Sequence, residues 1–248
     1  MSQSSPIHLH QSQAWRSDRP PTTLIESASA QLQNDILEGK FFPGSNLHIN
    51  ALKQQYDVSA STVREALSRL IASGLVVSEG QRGFRTAQMS IEDLEDITRM
   101  RKLLEITAVT EAIETAGEDW EASIVSAYYR LNKLEKQLSE VALNHPNLDE
   151  LKRDWEQRNQ AFHFAIISGC KSRRLHRFYS ILYHQSLRYR FRHFSFSQSI
   201  PVRDVEAEHT AIFEAVMKRD VELACKYAGE HIEKTVNAVR EAGSAVVR

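Results

Sequence analysis

The chain has 248 residues, a net charge of −1 with histidines neutral and 42% apolar side chains, which is enough for two domains with separate cores. No apolar run approaches the roughly 20 residues needed to cross a bilayer, and the polar N-terminus lacks the apolar stretch of a secretory signal, so the expectation is a cytoplasmic protein with no membrane partner. Cys170 and Cys225 have no CxxC spacing and read as reduced thiols or small buried groups.

Residues 1–20, rich in Ser, Gln and His and without periodicity, read as a disordered tail. From Thr22 the apolar positions Ile25, Ala28, Leu32, Ile36 and Leu37 follow a helical period that stops at Gly39. Pro43-Gly44 makes a turn, and a second short helix is expected over Leu47 to Tyr56 with Leu52 inward. Asp57-Val58-Ser59 turns the chain into a third helix, capped by Ser59 or Ser61 and ended by Gly74. Leu75 to Val77 and Phe84 to Thr86 flank a Gly-containing tip and predict a two-stranded ribbon. Three helices and a hairpin give the order of a winged helix-turn-helix over 21–88.

From residue 89 the pattern is helical to about 243, opening on a capping-box-like Ser90-Ile91-Glu92-Asp93. Breaks near Gly117, at Asn144-His145-Pro146, at Gly169, over Ser197 to Pro201 and near Arg219-Asp220 predict six helices, at about 91–116, 119–143, 149–168, 172–196, 202–218 and 220–242. The expected fold class is mainly α, a winged helix-turn-helix followed by an all-α bundle.

Bulk charge does not argue for DNA. Residues 21–89 carry Lys40, Lys53, Arg64, Arg69, Arg82 and Arg85 against Glu26, Asp35, Glu38, Asp57, Glu65 and Glu79, six against six. Placement does argue for it. The start of a recognition helix points first-turn side chains and free amides into the major groove, where Ser59, Ser61 and Thr62 suit phosphate or base-edge contacts and Arg64 reaches a phosphate or guanine. Arg82 at the ribbon tip can enter the neighbouring minor groove or touch its phosphates. Val63, Ala66, Leu67 and Leu70 lie on the opposite, inward face. An ordinary helical subdomain with a surface arginine fits the same periodicity.

Asn159 and His163 are one helical turn apart on one face. His209 and His231 lie at equal distance on either side of the break at 220, so an antiparallel helix pair sets them level. If that pair packs beside the helix carrying His163, three imidazoles meet at one depth. Three imidazoles and an oxygen suit Zn²⁺ or another late first-row divalent ion, with positions left for water or a ligand. Three unrelated histidines among the ten in the chain remain the alternative.

The stretch from Gly39 to Phe84, with Pro43-Gly44, Val58-Ser59, Val63-Arg64-Glu65-Ala66-Leu67, Leu70, Gly74-Leu75 and Gly83-Phe84, resembles the GntR family of bacterial transcription regulators. The resemblance implies that Ser59, Ser61, Thr62 and Arg64 face DNA. The family often has arginine after the capping residue and proline where Thr62 stands, whereas this chain has Ala60 and Thr62, which alters the expected operator. Residues 91–240 resemble the FCD effector domain of the FadR subfamily. Its metal-binding members carry Asp, sometimes Asn, four residues before a His that follows Phe, with two more His on the last two helices. Asn159, His163 after Phe162, His209 and His231 match that set, and Arg101 and Glu105 match an Arg-x-x-x-Glu motif on the first FCD helix. The resemblance thus implies a divalent metal, zinc first, with nickel or manganese as alternatives. Asn159 puts a neutral amide oxygen where the family usually has a carboxylate, which weakens the hold on the metal and leaves one more positive charge for an anionic ligand.

Effectors in the resembling family are small carboxylates, hydroxy acids, sugar acids or amino-acid catabolites. An arginine fork can take the oxygens that a metal leaves. Arg188 and Arg192 share one face of the fourth FCD helix, and Arg101 is a further candidate; a solvated face or an Arg–Glu pair is the plain alternative for each. The expected function is a ligand-responsive regulator, most often a repressor in that family, that binds palindromic double-stranded operator DNA as a homodimer and is not an enzyme. A metal sensor without an organic effector is an alternative. So, more remotely, is a metal-dependent hydrolase on a DNA-binding arm, which lacks an HExxH-type base motif.

Overall fold

A computed structural model of the chain describes residues 23–80, 83–142, 145–196 and 204–241. The tail expected over 1–20 and the ribbon-tip residue Arg82 lie outside them.

The first domain begins with α1 (Leu24–Leu37), whose first turn is capped by Thr23 Oγ1 accepting from the Glu26 amide at 3.1 Å. It is followed by β1 (Asn46–Leu47), α2 (Ile49–Gln55), α3 (Ala60–Ala72), β2 (Val76–Ser78) and β3 (Phe84–Thr86). Asp57, at φ 49°, makes the left-handed step between α2 and α3. Leu32, Ile36, Leu52, Val63, Leu67, Leu70, Leu75 and Val76 are buried together.

The expected helix start at Leu47 is corrected to a strand. The sheet has three strands in the order β1-β3-β2, all antiparallel, with Asn46 opposite Arg85 and Val76 opposite Thr86. Thr86 holds this strand in place, because its hydroxyl donates to Phe42 O at 2.6 Å and accepts from the Ser45 amide at 3.1 Å. The Pro43-Gly44 turn is thereby docked on β3, and buried Leu47 enters the core from a strand.

The second domain consists of α4 (Ile91–Thr115), α5 (Glu118–Ser139), α6 (Leu148–Ile167), α7 (Arg173–Phe196), α8 (Val205–Met217) and α9 (Val221–Glu241). These match the six expected helices; the largest departure is α5, which stops at Ser139 instead of near 143. Ser90 caps α4, its Oγ accepting from the Asp93 amide at 3.1 Å. Gly169 lets the α6–α7 turn approach α4 closely, since a Cβ there would lie 2.7 Å from Ala116 Cβ and 2.8 Å from Ala112 Cβ. The α8–α9 hairpin turns at Arg219, φ 53°, whose guanidinium donates to Ile113 O and Ala116 O at 2.8 Å each. That double capping of the α4 carbonyls fixes the hairpin against the α4–α5 corner and sets the depth of every residue on α8 and α9. No helix among the described residues is long and apolar enough to cross a membrane.

Candidate functional site

The first polar cluster lies at the exposed start of α3. Ser59 Oγ accepts from the Thr62 amide at 3.1 Å and lies 2.7 Å from Ser61 Oγ and 2.9 Å from Thr62 Oγ1. Arg64 is exposed one turn along, while Val63, Ala66, Leu67 and Leu70 are buried beneath. The helix start thus offers hydroxyls, first-turn amides and one guanidinium to whatever lies outside it.

The second cluster is buried. α6, α8 and α9 bring His163, His209 and His231 together, with possible ligand atoms all within 4.8 Å of one another. Their ring centroids are 4.7 to 5.4 Å apart. Asn159 stands one turn before His163 and is also buried. Among the described residues, Asn159 Oδ1, both ring nitrogens of His163 and His209 Nε2 are buried without a hydrogen-bond partner. Each such group costs about 1–3 kcal/mol if left unmet. Imidazole nitrogens gathered this closely, with lone pairs unmet, are what a divalent cation would satisfy.

Carboxylates stand behind the imidazoles. His209 Nδ1 lies 2.7 Å from Glu135 Oε1, His231 Nδ1 lies 2.8 Å from Glu208 Oε2, and His163 Nδ1 lies 3.3 Å from Glu105 Oε1. At His209 and His231 the carboxylate selects the Nδ1–H tautomer and leaves the Nε2 lone pair free to ligate, while His163 Nδ1 lies near Glu105 without a hydrogen bond. Burial lowers the pKa of His163 and so keeps its imidazole in the neutral, ligating form. Asn159 is oriented in a similar way. Its Nδ2 donates to Tyr183 Oη at 3.3 Å, Tyr183 donates to Glu156 Oε1 at 2.7 Å, and Arg190 clamps Glu156 at 2.7 and 3.3 Å. Tyr183 spends its proton on Glu156, so its oxygen accepts from Asn159 and leaves the amide Oδ1 directed elsewhere.

Arg101 lies beside this centre. It is buried, 3.4 Å from Glu105 Oε2, 3.4 Å from the Tyr179 hydroxyl and 3.4 Å from Ser186 Oγ, with its guanidinium 4.7 Å from the Tyr183 ring centroid. Burial alone would raise the pKa of Glu105, but Arg101, followed by His163 and Tyr179, outweighs it and holds the carboxyl ionised. Glu105 therefore links Arg101 to His163, one oxygen to each.

Arg188 and Arg192 are placed otherwise, and the expectation that they line an effector pocket is corrected. Arg188 donates to Ala87 O at 2.6 Å, in the segment joining the domains, and Arg192 stacks over Phe42 of the first domain at 5.5 Å. They do share a face of α7, but that face looks toward the first domain. The arginine directed inward is Arg190, which sequence reasoning missed together with Glu135, Glu156, Tyr179, Tyr183 and Glu208. One signal was available: Tyr179, Tyr183, Ser186 and Arg190 recur at helical spacing on the opposite side of α7.

Two family models match. Residues 24–85 match the gntR family of bacterial regulatory proteins, and residues 96–234 match the FCD domain. The uncharacterized HTH-type transcriptional regulator BphR of Paraburkholderia xenovorans is 39% identical over 89% of this chain and 87% of its own. The HTH-type transcriptional repressor GlaR of Escherichia coli is 34% identical over 85% of this chain and 93% of its own. Among solved structures, E. coli McbR/YncC superimposes with a TM-score of 0.73 at 18% identity, covering 90% of this chain and 99% of that one, which is a likeness of fold.

Proposed function

The chain belongs to the GntR family of bacterial DNA-binding transcription regulators, with an FCD effector domain, and from that premise we propose that it is a metabolite-responsive repressor whose FCD domain holds a divalent metal. Regulation of transcription is the activity of this family, and the hydrolase alternative gives way to it. The observation that carries the proposal is the convergence of His163, His209 and His231, with Asn159 and its unmet oxygen one helical turn before His163. Zn²⁺ suits three imidazoles and one neutral oxygen best, with Ni²⁺ or Mn²⁺ as alternatives. When bound, the metal supplies a Lewis-acidic anchor for a small carboxylate. Around it Glu105, Glu135 and Glu208 orient the imidazoles and return negative charge that Asn159 does not provide. Arg101, held by Glu105, is the cation offered to an incoming carboxylate.

In this reading Ser59, Ser61, Thr62 and Arg64 face one operator half-site, Arg82 extends the contact from the ribbon, and a homodimer in the cytoplasm spans a palindrome. Repression accords with the name of the GlaR relative. The test is metal analysis of protein purified without added metal or chelator, followed by zinc titration and gel shifts with a panel of small carboxylic acids. The expected result is one metal per chain, lost in His163→Ala/His209→Ala, and an operator shift changed by an acid only when metal is present. A parent protein that retains no metal after saturation and desalting overturns the metal centre. A shift moved by zinc alone, and by no acid, makes the protein a metal sensor.

A further inference from the structure

α7 has two occupied faces. At 3.6 residues per turn, Tyr179, Tyr183, Ser186 and Arg190 fall on one side and reach Glu105, Asn159, Glu156 and Arg101 around the histidine centre. Gln185, Arg188, Tyr189 and Arg192 fall on the other and reach the first domain and the joining segment. Gln185 Nε2 donates to Ser73 O at 2.9 Å. Ser73 is the C-cap of α3, so this bond satisfies one of the free carbonyls at the end of the helix whose start faces DNA. Gly74, at φ +71°, leaves room for the contact: a Cβ there would sit 2.3 Å from Gln185 Nε2.

The neighbouring residues fix the joining segment to the same helix. Arg188 holds Ala87 O at 2.6 Å, and the Tyr189 hydroxyl accepts from the Ser90 amide at 3.1 Å while donating to Asp93 at 2.7 Å. Met89 is buried against Tyr189, Val236 and Val239. The segment between the domains is therefore pinned to α7 and does not act as a loose tether. A rotation or slide of α7 has to move the end of α3 with it, because packed helices pass displacement on instead of absorbing it.

We propose that Gln185 is a positioning residue for DNA reading, coupling the Tyr183 side of α7 to the recognition helix through its bond to the α3 C-cap. The proposal rests on the ligand-responsive reading above and names the residue through which that response leaves the effector domain. The bond spans the domain boundary at the end of α3 remote from Ser59 and Arg64, so Gln185 acts on DNA only through the position of α3.

The test is a double-mutant cycle on operator affinity in the full-length protein at fixed salt, with a duplex selected from a random pool by the parent. Tyr183→Phe removes the hydroxyl that joins Asn159 to Glu156. It is expected to change operator affinity about fivefold or more in the parent and to have no effect in a Gln185→Ala background. Gln185→Lys keeps a donor of similar reach and is expected to restore the response, which a merely structural side chain would not do. An equal effect of Tyr183→Phe in both backgrounds, or no effect in either, overturns the proposal. A second readout needs no pocket variant: zinc added to the parent changes hydrogen-exchange protection of amides 73–76, and this change is lost in Gln185→Ala. An unchanged response in Gln185→Ala counts against the coupling. Zinc binding itself is followed by chelator competition. If zinc is not held, the metal centre falls, while the Tyr183→Phe cycle still decides the coupling.

Discussion

At the start of α3 the hydroxyls of Ser59, Ser61 and Thr62 meet one another in an exposed cluster, whereas in the helical domain Asn159, His163 and His209 carry buried atoms that no described residue satisfies. Water covers the first set when DNA is absent, and nucleic acid displaces it at modest cost. The second set is out of reach of bulk water and carries a desolvation cost of about 1–3 kcal/mol per unmet group. The exposed cluster is thus satisfied by itself and by solvent, while in the proposed reading a ligand meets the buried one. Substitutions at the exposed cluster should change DNA affinity at nearly constant stability, and substitutions around the buried centre should change stability first.

The largest expected effect is that of Glu105→Ala. Glu105 meets Arg101, Tyr179 and His163 at once, so its removal leaves the buried Arg101 guanidinium without its carboxylate. Breaking a buried pair from one side costs about 3–5 kcal/mol. Urea unfolding followed by circular dichroism should show that loss. A stability within about 1 kcal/mol of the parent would mean that Arg101 has another counter-charge, and the contrast between the two regions would weaken.

The contrast also explains what could be read from sequence. Helices α4 to α9 were legible because apolar periods and Gly, Pro and Asn breaks are local signals. The meeting of His209 with His231 was legible because a tight antiparallel hairpin converts sequence distance from its turn into depth. β1 was not legible, since it has two residues and is held by Thr86, 41 positions away from Ser45. The orientation of Arg188 and Arg192 was misjudged for a related reason. Over residues 179–192 no position of α7 is exposed to orient the helix, and spacing says only which residues share a side. The carboxylates behind the histidines were also hidden, because a buried Glu135 or Glu156 looks in sequence like any charged residue of an amphipathic helix.

A smaller effect of the opposite kind is expected at Arg64. Its guanidinium is exposed at the recognition helix, so Arg64→Ala should leave the urea midpoint in place. Operator affinity should fall by about 1–3 kcal/mol if a base edge is read, with relaxed preference at one position of each half-site. If a phosphate is touched, the loss should be uniform across sequences and the salt slope should fall by about one. Binding measured at several salt concentrations on matched and mismatched duplexes separates the two cases. A fall in stability without a fall in affinity would remove Arg64 from the reading surface.

The smallest effect falls where the two regions' rules overlap. Ser59 is exposed and in the proposed reading faces DNA, yet its Oγ also accepts from the Thr62 amide and so caps α3. Ser59→Ala removes both functions and should cost about 1 kcal/mol of stability as well as some operator affinity. Ser59→Asp separates them. Aspartate is as good a cap as serine and gains from the positive end of the helix dipole, so stability should stay level or rise by a few tenths of a kcal/mol. The same carboxylate would face phosphate oxygens, and like-charge repulsion should lower operator affinity more than alanine does. Thermal unfolding and operator titration on the two variants give four numbers whose order is fixed in advance. If Ser59→Asp binds DNA as well as the parent does, the start of α3 does not approach the phosphates, and its hydroxyl cluster belongs only to the helix that it caps.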